Sequence, residues 1–259
     1  MEFDLPRIER ETFIKNVECH DEIDSTNTRA LTLCSLGDVN TPFLILAERQ
    51  SQGRGRGSNR WWSQDGALTI TLVLDAGDIH LPFENWPLIS LFAGLAIADT
   101  LAEIAPDDAV RVKWPNDVYL AGKKICGILC EIPPARPPRL VLGIGLNVNN
   151  SLLGAPQELR NTATSLTDLT GLLHDRSELL VRLLTHMKRH LQDSRAFAPD
   201  RLPQIWSQRC LLTGKNVTVM CGKIERTGRC LGVDAQGSLL IEHQTGIERF
   251  IGGTVASWE

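Results

Sequence analysis

One stretch constrains this chain more than any other: Gln50-Ser51-Gln52-Gly53-Arg54-Gly55-Arg56-Gly57-Ser58-Asn59-Arg60-Trp61-Trp62. Three glycines alternate with two arginines and then run into paired tryptophans. The alternate loss of Cβ lets the backbone adopt positive φ and turn consecutive N–H donors toward a guest. An anion suits such a surface. The arginine forks match carboxylate or phosphate, and Trp61 or Trp62 can cover a flat ring. Gly/Arg alternation also occurs in disordered tails that bind RNA. The flanks separate the two readings, because the strand-like Pro42–Glu48 precedes the loop and the alternating Ala67–Leu74 follows it. A loop so placed is built into a sheet.

Composition narrows the partners. At 259 residues, 42% hydrophobic and 22% charged, the chain can bury one large core and a smaller one. A net charge of -4 gives no general attraction to nucleic acid or anionic membrane, so the positive charge of the loop is local and favours a small anion. The opening Met1-Glu2-Phe3-Asp4-Leu5-Pro6 has neither a basic nor an apolar leader pattern, and no apolar run is long enough to cross a bilayer. A cytoplasmic protein is expected. The seven cysteines are irregularly spaced. Cys126 and Cys130 share a strand face, and all read as reduced core thiols, with no metal-ligand spacing among them.

In chain order, residues up to about Asn16 read as a lead-in, and Val17–Ile23 as the first strand. Asp24-Ser25-Thr26-Asn27 then caps a helical run. A cap needs only one of those side chains; the set also suits a pocket for a neutral polar head such as a urea or amide. Pro87–Ala98 is apolar around most of the helical wheel and reads as a buried helix. Val110–Leu120 is strand-like but broken at Pro115, which leaves Asn116 and Asp117 at the break beside Lys113. That pattern suits a surface hairpin or a site where charge is used.

Lys124 stands at the mouth of the next strand, and Gly143 and Gly145 lie on one face of Leu140–Asn149. Two missing side chains on one face open a slot for a thin ligand. No dinucleotide fingerprint or Walker loop is present. Asp175-Arg176-Ser177-Glu178 reads as a capping box before a helix bearing Leu179, Leu180, Leu183, Leu184, Met187 and Leu191 on one face. His186 and His190, one turn apart on that helix, read as part of a solvated basic face. From Leu212 short glycine-separated strands predict a small β-barrel, so the expected division is 1–211 and 212–259.

Taken together, Ser25-Thr26-Asn27, the Gly53–Trp61 loop, Lys113-Trp114-Pro115-Asn116-Asp117 with Lys124, and Gly143-Ile144-Gly145-Leu146-Asn147 resemble the biotin protein ligases. The resemblance runs from about Asp21 to the C-terminus. It implies an α+β catalytic domain with a class II tRNA synthetase-like mixed sheet, followed by a small SH3-like barrel. The implied reaction joins biotin to ATP, with Mg²⁺, and transfers the biotinyl group from biotinyl-5′-AMP to a lysine of a biotin carboxyl carrier protein. The carrier of acetyl-CoA carboxylase or of a related carboxylase is the implied partner. By resemblance, biotin would meet Ser25, Thr26, Asn27, Gln50, Gly53, Arg54, Arg56, Lys124, Gly127, Gly143 and Gly145. ATP would meet Arg54, Gly55, Arg56, Trp61, Asn116, Lys124 and Asn147, and Arg54, Lys113, Asp117 and Lys124 would be catalytic.

Two departures stand out. Asn59 occupies a position where many bacterial relatives have arginine; Gly57-Ser58-Asn59 resembles the loop of the eukaryotic holocarboxylase synthetases, and Arg60 is a candidate to supply the missing charge. The residues before Asp24 are also too few for the winged helix of the regulatory ligases, so DNA binding is not expected. A homodimer through an exposed sheet edge is compatible with the pattern but not forced by it. The rival readings are a lipoate or octanoate ligase, a protein that only sequesters biotin or its adenylate, and an RNA-binding module.

Overall fold

The alternating segments pair into two sheets in the computed structural model, which describes residues 3–37, 39–193 and 199–259. Seven strands form a mixed sheet: β1 (Asn16–Ile23), β2 (Phe43–Gln50), β3 (Leu68–Asp75), β4 (Val110–Lys113), β5 (Asp117–Leu120), β6 (Lys123–Glu131) and β7 (Arg139–Leu146). Their order is β1-β2-β3-β7-β6-β5-β4, with β1 and β2 parallel and every other neighbour antiparallel. Five more strands, β8 (Asn216–Cys221), β9 (Ile224–Val233), β10 (Leu239–His243), β11 (Gly246–Phe250) and β12 (Thr254–Trp258), make an antiparallel sheet of order β11-β10-β9-β8-β12. The helices are α1 (Leu5–Glu11), α2 (Thr26–Leu36), α3 (Ile89–Ala102), α4 (Gln157–Thr162), α5 (Leu166–Thr170), α6 (Arg176–Gln192) and α7 (Leu202–Arg209). The class is α+β with a small C-terminal antiparallel sheet, in agreement with expectation.

Strand alternation sorts the faces of the large sheet. Leu44, Leu46, Leu72, Leu74, Leu140 and Leu142 point into the main core, which they share with apolar residues of α3 and α6. Ile45, Val73 and Val141 point the other way and meet Ala30, Leu33 and Cys34 of α2. α2 covers only part of that second face. The remainder, where the strands carry Thr69, Thr71, Gly127, Gly143 and Gly145, is left open beside the N-terminus of α2. Phe83–Ala102 is long and apolar enough to span a bilayer, but 72% of its apolar window is buried inside the fold, as befits a core helix.

Three local readings are corrected. The lead-in contains a helix, α1, capped by the Asp4 side chain, and its Ile8 is fully buried. The Asp4 amide also donates to Ser177 Oγ at 3.0 Å. A helix of 7 residues is too short to stand alone and is held by this docking. His190 is not on a solvated face: its side chain is only 1% exposed and its Nε2 lies 2.8 Å from Asp99. The capping box is half used as well. Asp175 accepts from the Ser177 and Glu178 amides, while the Glu178 carboxylate pairs with Arg7 and Arg182.

Candidate active site

The open part of the sheet face becomes a cavity of about 620 Å³, walled by the Gly/Arg loop, the N-terminus of α2, the β4–β5 turn and the loops of the small sheet. Cross-strand register builds its floor in two rows. In one, Thr71 of β3, Gly143 of β7 and Leu129 of β6 are neighbours; in the other, Thr69, Gly145 and Gly127 are. A Cβ on Gly143 would lie 1.9 Å from Asn27 Oδ1, and one on Gly145 would lie 2.3 Å from the Trp61 ring. Glycine is therefore required on β7 for Asn27 and Trp61 to lie flat against the sheet.

At the closed end of the cavity a chain of polar groups is buried. Gln50 Oε1 accepts from the Thr26 amide at 2.7 Å and from Thr26 Oγ1 at 3.0 Å. Thr71 Oγ1, fully buried, lies 2.7 Å from both Thr26 Oγ1 and Asn27 Oδ1. Asn27 Nδ2 donates to Glu131 at 3.0 Å. Ser25 is the N-cap of α2, so one hydroxyl does the capping while the others face the pocket. Apart from the Glu131 carboxylate that anchors Asn27, the result is a set of neutral donors and acceptors on rigid elements, matched to a neutral polar head.

The cations lie at the open end. Residues 53–61 fold into a small hairpin: the Trp61 amide donates to Gly53 O at 3.0 Å, the Gly55 amide to Asn59 O at 2.9 Å, and the turn falls at Gly57, with φ +64. Arg54 is carried to Glu131 and held by a two-pronged ion pair of 2.7 and 3.0 Å. Arg56 donates to Gly253 O at 2.6 Å. Lys124 Nζ lies 2.6 Å from Asp117 Oδ1. Lys113 is buried, 4.8 Å from the Trp258 ring centroid and 3.5 Å from Val255 O. Burial pushes its ammonium below the usual lysine range, assisted by Lys124 and opposed by Asp117.

Most residues singled out from the sequence line this one cavity: Ser25, Thr26, Asn27, Gln50, Arg54, Gly55, Arg56, Trp61, Lys113, Asn116, Asp117, Lys124, Gly127, Gly143 and Gly145. Two do not. Gly53 closes the neck of the hairpin, where a Cβ would strike Trp61 O at 2.4 Å. Asn147 is buried away from the cavity, its amide donating to Thr164 O and accepting from Asn150, both at 3.0 Å. Its side-chain amide is used in holding these two segments together. Asn116 is half committed: Nδ2 donates to Ile128 O at 2.7 Å.

Sequence reasoning missed Thr71 and Glu131, which bind Asn27 and Arg54, and the small-sheet residues Met220, Gly222, Gly253, Thr254 and Val255 at the rim. Threonine at every second position of an otherwise apolar strand was the available signal for Thr71. Among the described residues no group of three or more His, Cys, Asp or Glu is placed to hold a metal ion.

The description Biotin/lipoate A/B protein ligase family matches residues 20–149, the segment that supplies both floor and loop. The chain belongs to this family. Among family members, the bifunctional ligase/repressor BirA of Bacillus subtilis is 32% identical over 237 residues, covering 89% of this chain and 70% of that protein. The biotin–acetyl-CoA-carboxylase ligase of Paracoccus denitrificans is 32% identical over 244 residues, covering 89% and 98%. The solved biotin protein ligase from Aquifex aeolicus in complex with biotin and ATP superposes with a TM-score of 0.78 at 31% identity, covering 95% and 99%.

Proposed function

We propose that this member of the family is a biotin protein ligase that uses ATP to attach biotin to a lysine of a biotin carboxyl carrier protein. The observation that carries the reading is one cavity with a neutral polar end, a glycine-floored slot and a cationic mouth. Biotin has the matching parts in the same order: a ureido head, a thin acyl chain and a carboxylate. The relatives named as biotin–acetyl-CoA-carboxylase ligases support the carrier assignment.

In the first step the biotin carboxylate attacks the α-phosphorus of ATP and pyrophosphate leaves. Two anions must approach each other, and Arg54, Arg56 and Lys124 supply the positive field that lowers that barrier. Arg54 must exchange Glu131 for substrate to do so. Trp61 Nε1 is buried without a hydrogen-bond partner among the described residues, so a ligand acceptor would satisfy it. In the second step the carrier lysine attacks the acyl carbon and AMP leaves. Asp117 orients that amine or takes its proton, and Lys124 holds Asp117 in place. Lys113 fixes the β4–β5 turn against the small sheet.

Asp117 is paired with Lys124, and among the described residues no group of three or more His, Cys, Asp or Glu is placed to cage Mg²⁺. The ion would accompany ATP and offset the charge of its phosphates. Residues 1–211 form the catalytic domain and 212–259 the barrel in this reading, and the protein works in the cytoplasm.

The test is biotin-dependent exchange of labelled pyrophosphate into ATP, with lipoate as control substrate. Exchange with biotin alone is expected, falling by roughly 10²-fold or more in Arg54→Ala and in Lys124→Ala. Exchange with lipoate at a comparable rate would reassign the substrate. No exchange by a chain that still binds biotin would overturn the enzymatic reading.

A further inference from the structure

Arg54 is the exception among the cations of the cavity. Gly127, Leu129 and Glu131 lie on one face of β6, level with Gly145, Gly143 and Val141 of β7. Lys124 stands at the first of these levels, its Nζ 3.4 Å from where a Gly127 Cβ would be and 2.6 Å from Asp117. Glu131 stands at the last, where Val141 already packs with α2. The strand between Gly127 and Glu131 covers about 13 Å at the ordinary rise per residue. Lys124 and Glu131 therefore mark opposite ends of the glycine slot.

Arg54 is fastened at the Glu131 end. Its two terminal nitrogens donate to the two carboxylate oxygens at 3.0 and 2.7 Å. Asn27 Nδ2 donates at 3.0 Å to the oxygen that the first of them uses, so the guanidinium stands within two hydrogen-bond lengths of Asn27. Asn27 is itself fixed, with Nδ2 also 3.3 Å from Leu129 O and Oδ1 bonded to Thr71. Glu131 thus holds the arginine against the polar group at the closed end.

That place does not suit the role assigned to Arg54. A ligand head seated on Thr26, Asn27 and Gln50 sends its acyl chain past Gly143 and then Gly145, so the carboxylate arrives at the level of Lys124. A guanidinium held by Glu131 does not reach it. We propose, on the biotin reading above, that Glu131 is a positioning residue: it parks Arg54 at the closed end and yields it to the substrate carboxylate, and so sets the affinity for ligands that carry one. The exchange trades one forked carboxylate pair for another, so the arginine is never without an anion. Until it occurs, the competent form of the site is only a fraction of the whole, and binding is weakened by that fraction. The parked pair is partly open to solvent, at 38% and 24% side-chain exposure, which keeps the penalty small enough for a substrate to overcome.

The test measures, by calorimetry, the Kd of biotin and of its alcohol analogue biotinol, which has the same head and chain without the carboxylate. Glu131→Gln keeps an acceptor for Asn27 and removes the charge that parks Arg54. It is expected to tighten biotin roughly 3- to 10-fold, to leave biotinol unchanged, and to have no effect on biotin in an Arg54→Ala background. A gain of affinity limited to the acid is not a result that a damaged fold produces. Unchanged or weaker biotin binding, or an equal effect on biotinol, would overturn the proposal, and pyrophosphate exchange retained in the natural chain would show that the biotin reading survives it. A natural chain that binds no biotin would overturn both. Should Glu131→Gln fail to fold, a crystal structure of the natural chain with biotin decides: Arg54 on the ligand carboxylate is expected, and both prongs still on Glu131 would refute the parking role.

Discussion

Replacing Gly143 by alanine tests the two-row floor most directly. The backbone there is ordinary strand, so alanine adds no conformational strain; all of the effect comes from space. The added Cβ would sit 1.9 Å from Asn27 Oδ1 and 2.8 Å from its Cγ. Asn27 must retreat by about 1.5 Å to restore normal contact. Its amide is bonded to Thr71 at 2.7 Å and to Glu131 at 3.0 Å, and neither bond survives that shift. Losing two bonds and leaving a buried polar atom unpaired costs about 2–4 kcal/mol. Urea denaturation reads that loss, and pyrophosphate exchange reads the second consequence. The displaced amide intrudes on the polar end of the cavity, so the biotin KM is expected to rise about 30-fold, equivalent to about 2 kcal/mol. A Gly143→Ala chain with natural stability and natural KM would refute the assignment of this glycine to the floor.

Other perturbations reach separate parts of the structure. Trp61→Ala removes the ring that lies over Gly145 and should raise the ATP KM roughly tenfold, the worth of one aromatic contact; an unchanged KM in exchange kinetics would remove Trp61 from the nucleotide site. Arg176 grips Glu48 at 2.7 and 3.0 Å in a largely buried pair. Burial works to raise the Glu48 carboxyl, and the bonds from Arg176 and the Gly66 amide overcome it. Arg176→Met should therefore cost about 3–5 kcal/mol in urea unfolding, and a loss under about 1 kcal/mol would show that the pair is well solvated. Burial outweighs the bond to Asp99 and sets the His190 imidazole below its ordinary 6.5. The unfolded chain thus takes up the proton first on acidification, so the urea midpoint should fall from pH 6.5 downward, and less so in His190→Gln; equal slopes in both proteins would discard this origin.

Much of the architecture was written in local patterns. Alternation located β2, β3 and β7, the apolar wheel located α3, and the polar cluster at Asp24–Asn27 located the start of α2. The same patterns placed Gly143 and Gly145 on one face, which is half of the floor. What the patterns lacked was register. Thr71, Gly143 and Leu129 form a row only because β3, β7 and β6 pair with that offset, and nothing in any one strand states the offset. Glu131 became a partner for Arg54 for the same reason, 77 positions further along the chain. Asn147 illustrates the converse. As a residue beside a glycine slot it reads as a ligand contact, yet the turn after β7 consumes its amide in holding Thr164 and Asn150. α1 and the burial of His190 depend on docking between distant segments, which a short helical pattern or a pair of histidines does not reveal.

Three contacts join the cavity to the small sheet: Arg56 to Gly253 O, Lys113 to Val255 O and Trp114 Nε1 to Gly237 O. Every acceptor is a backbone carbonyl, so these hydrogen bonds depend on chain path, while the Trp258 ring beside Lys113 and Tyr119 is the contact that depends on a side chain. Residue exchanges on the small sheet away from Trp258 should leave these hydrogen bonds intact, whereas a one-residue insertion or deletion in the turns at Gly237 or Gly253 would move a carbonyl out from under its donor. A chimera carrying a relative's C-terminal segment should thus tolerate wide divergence in composition but very little in turn length.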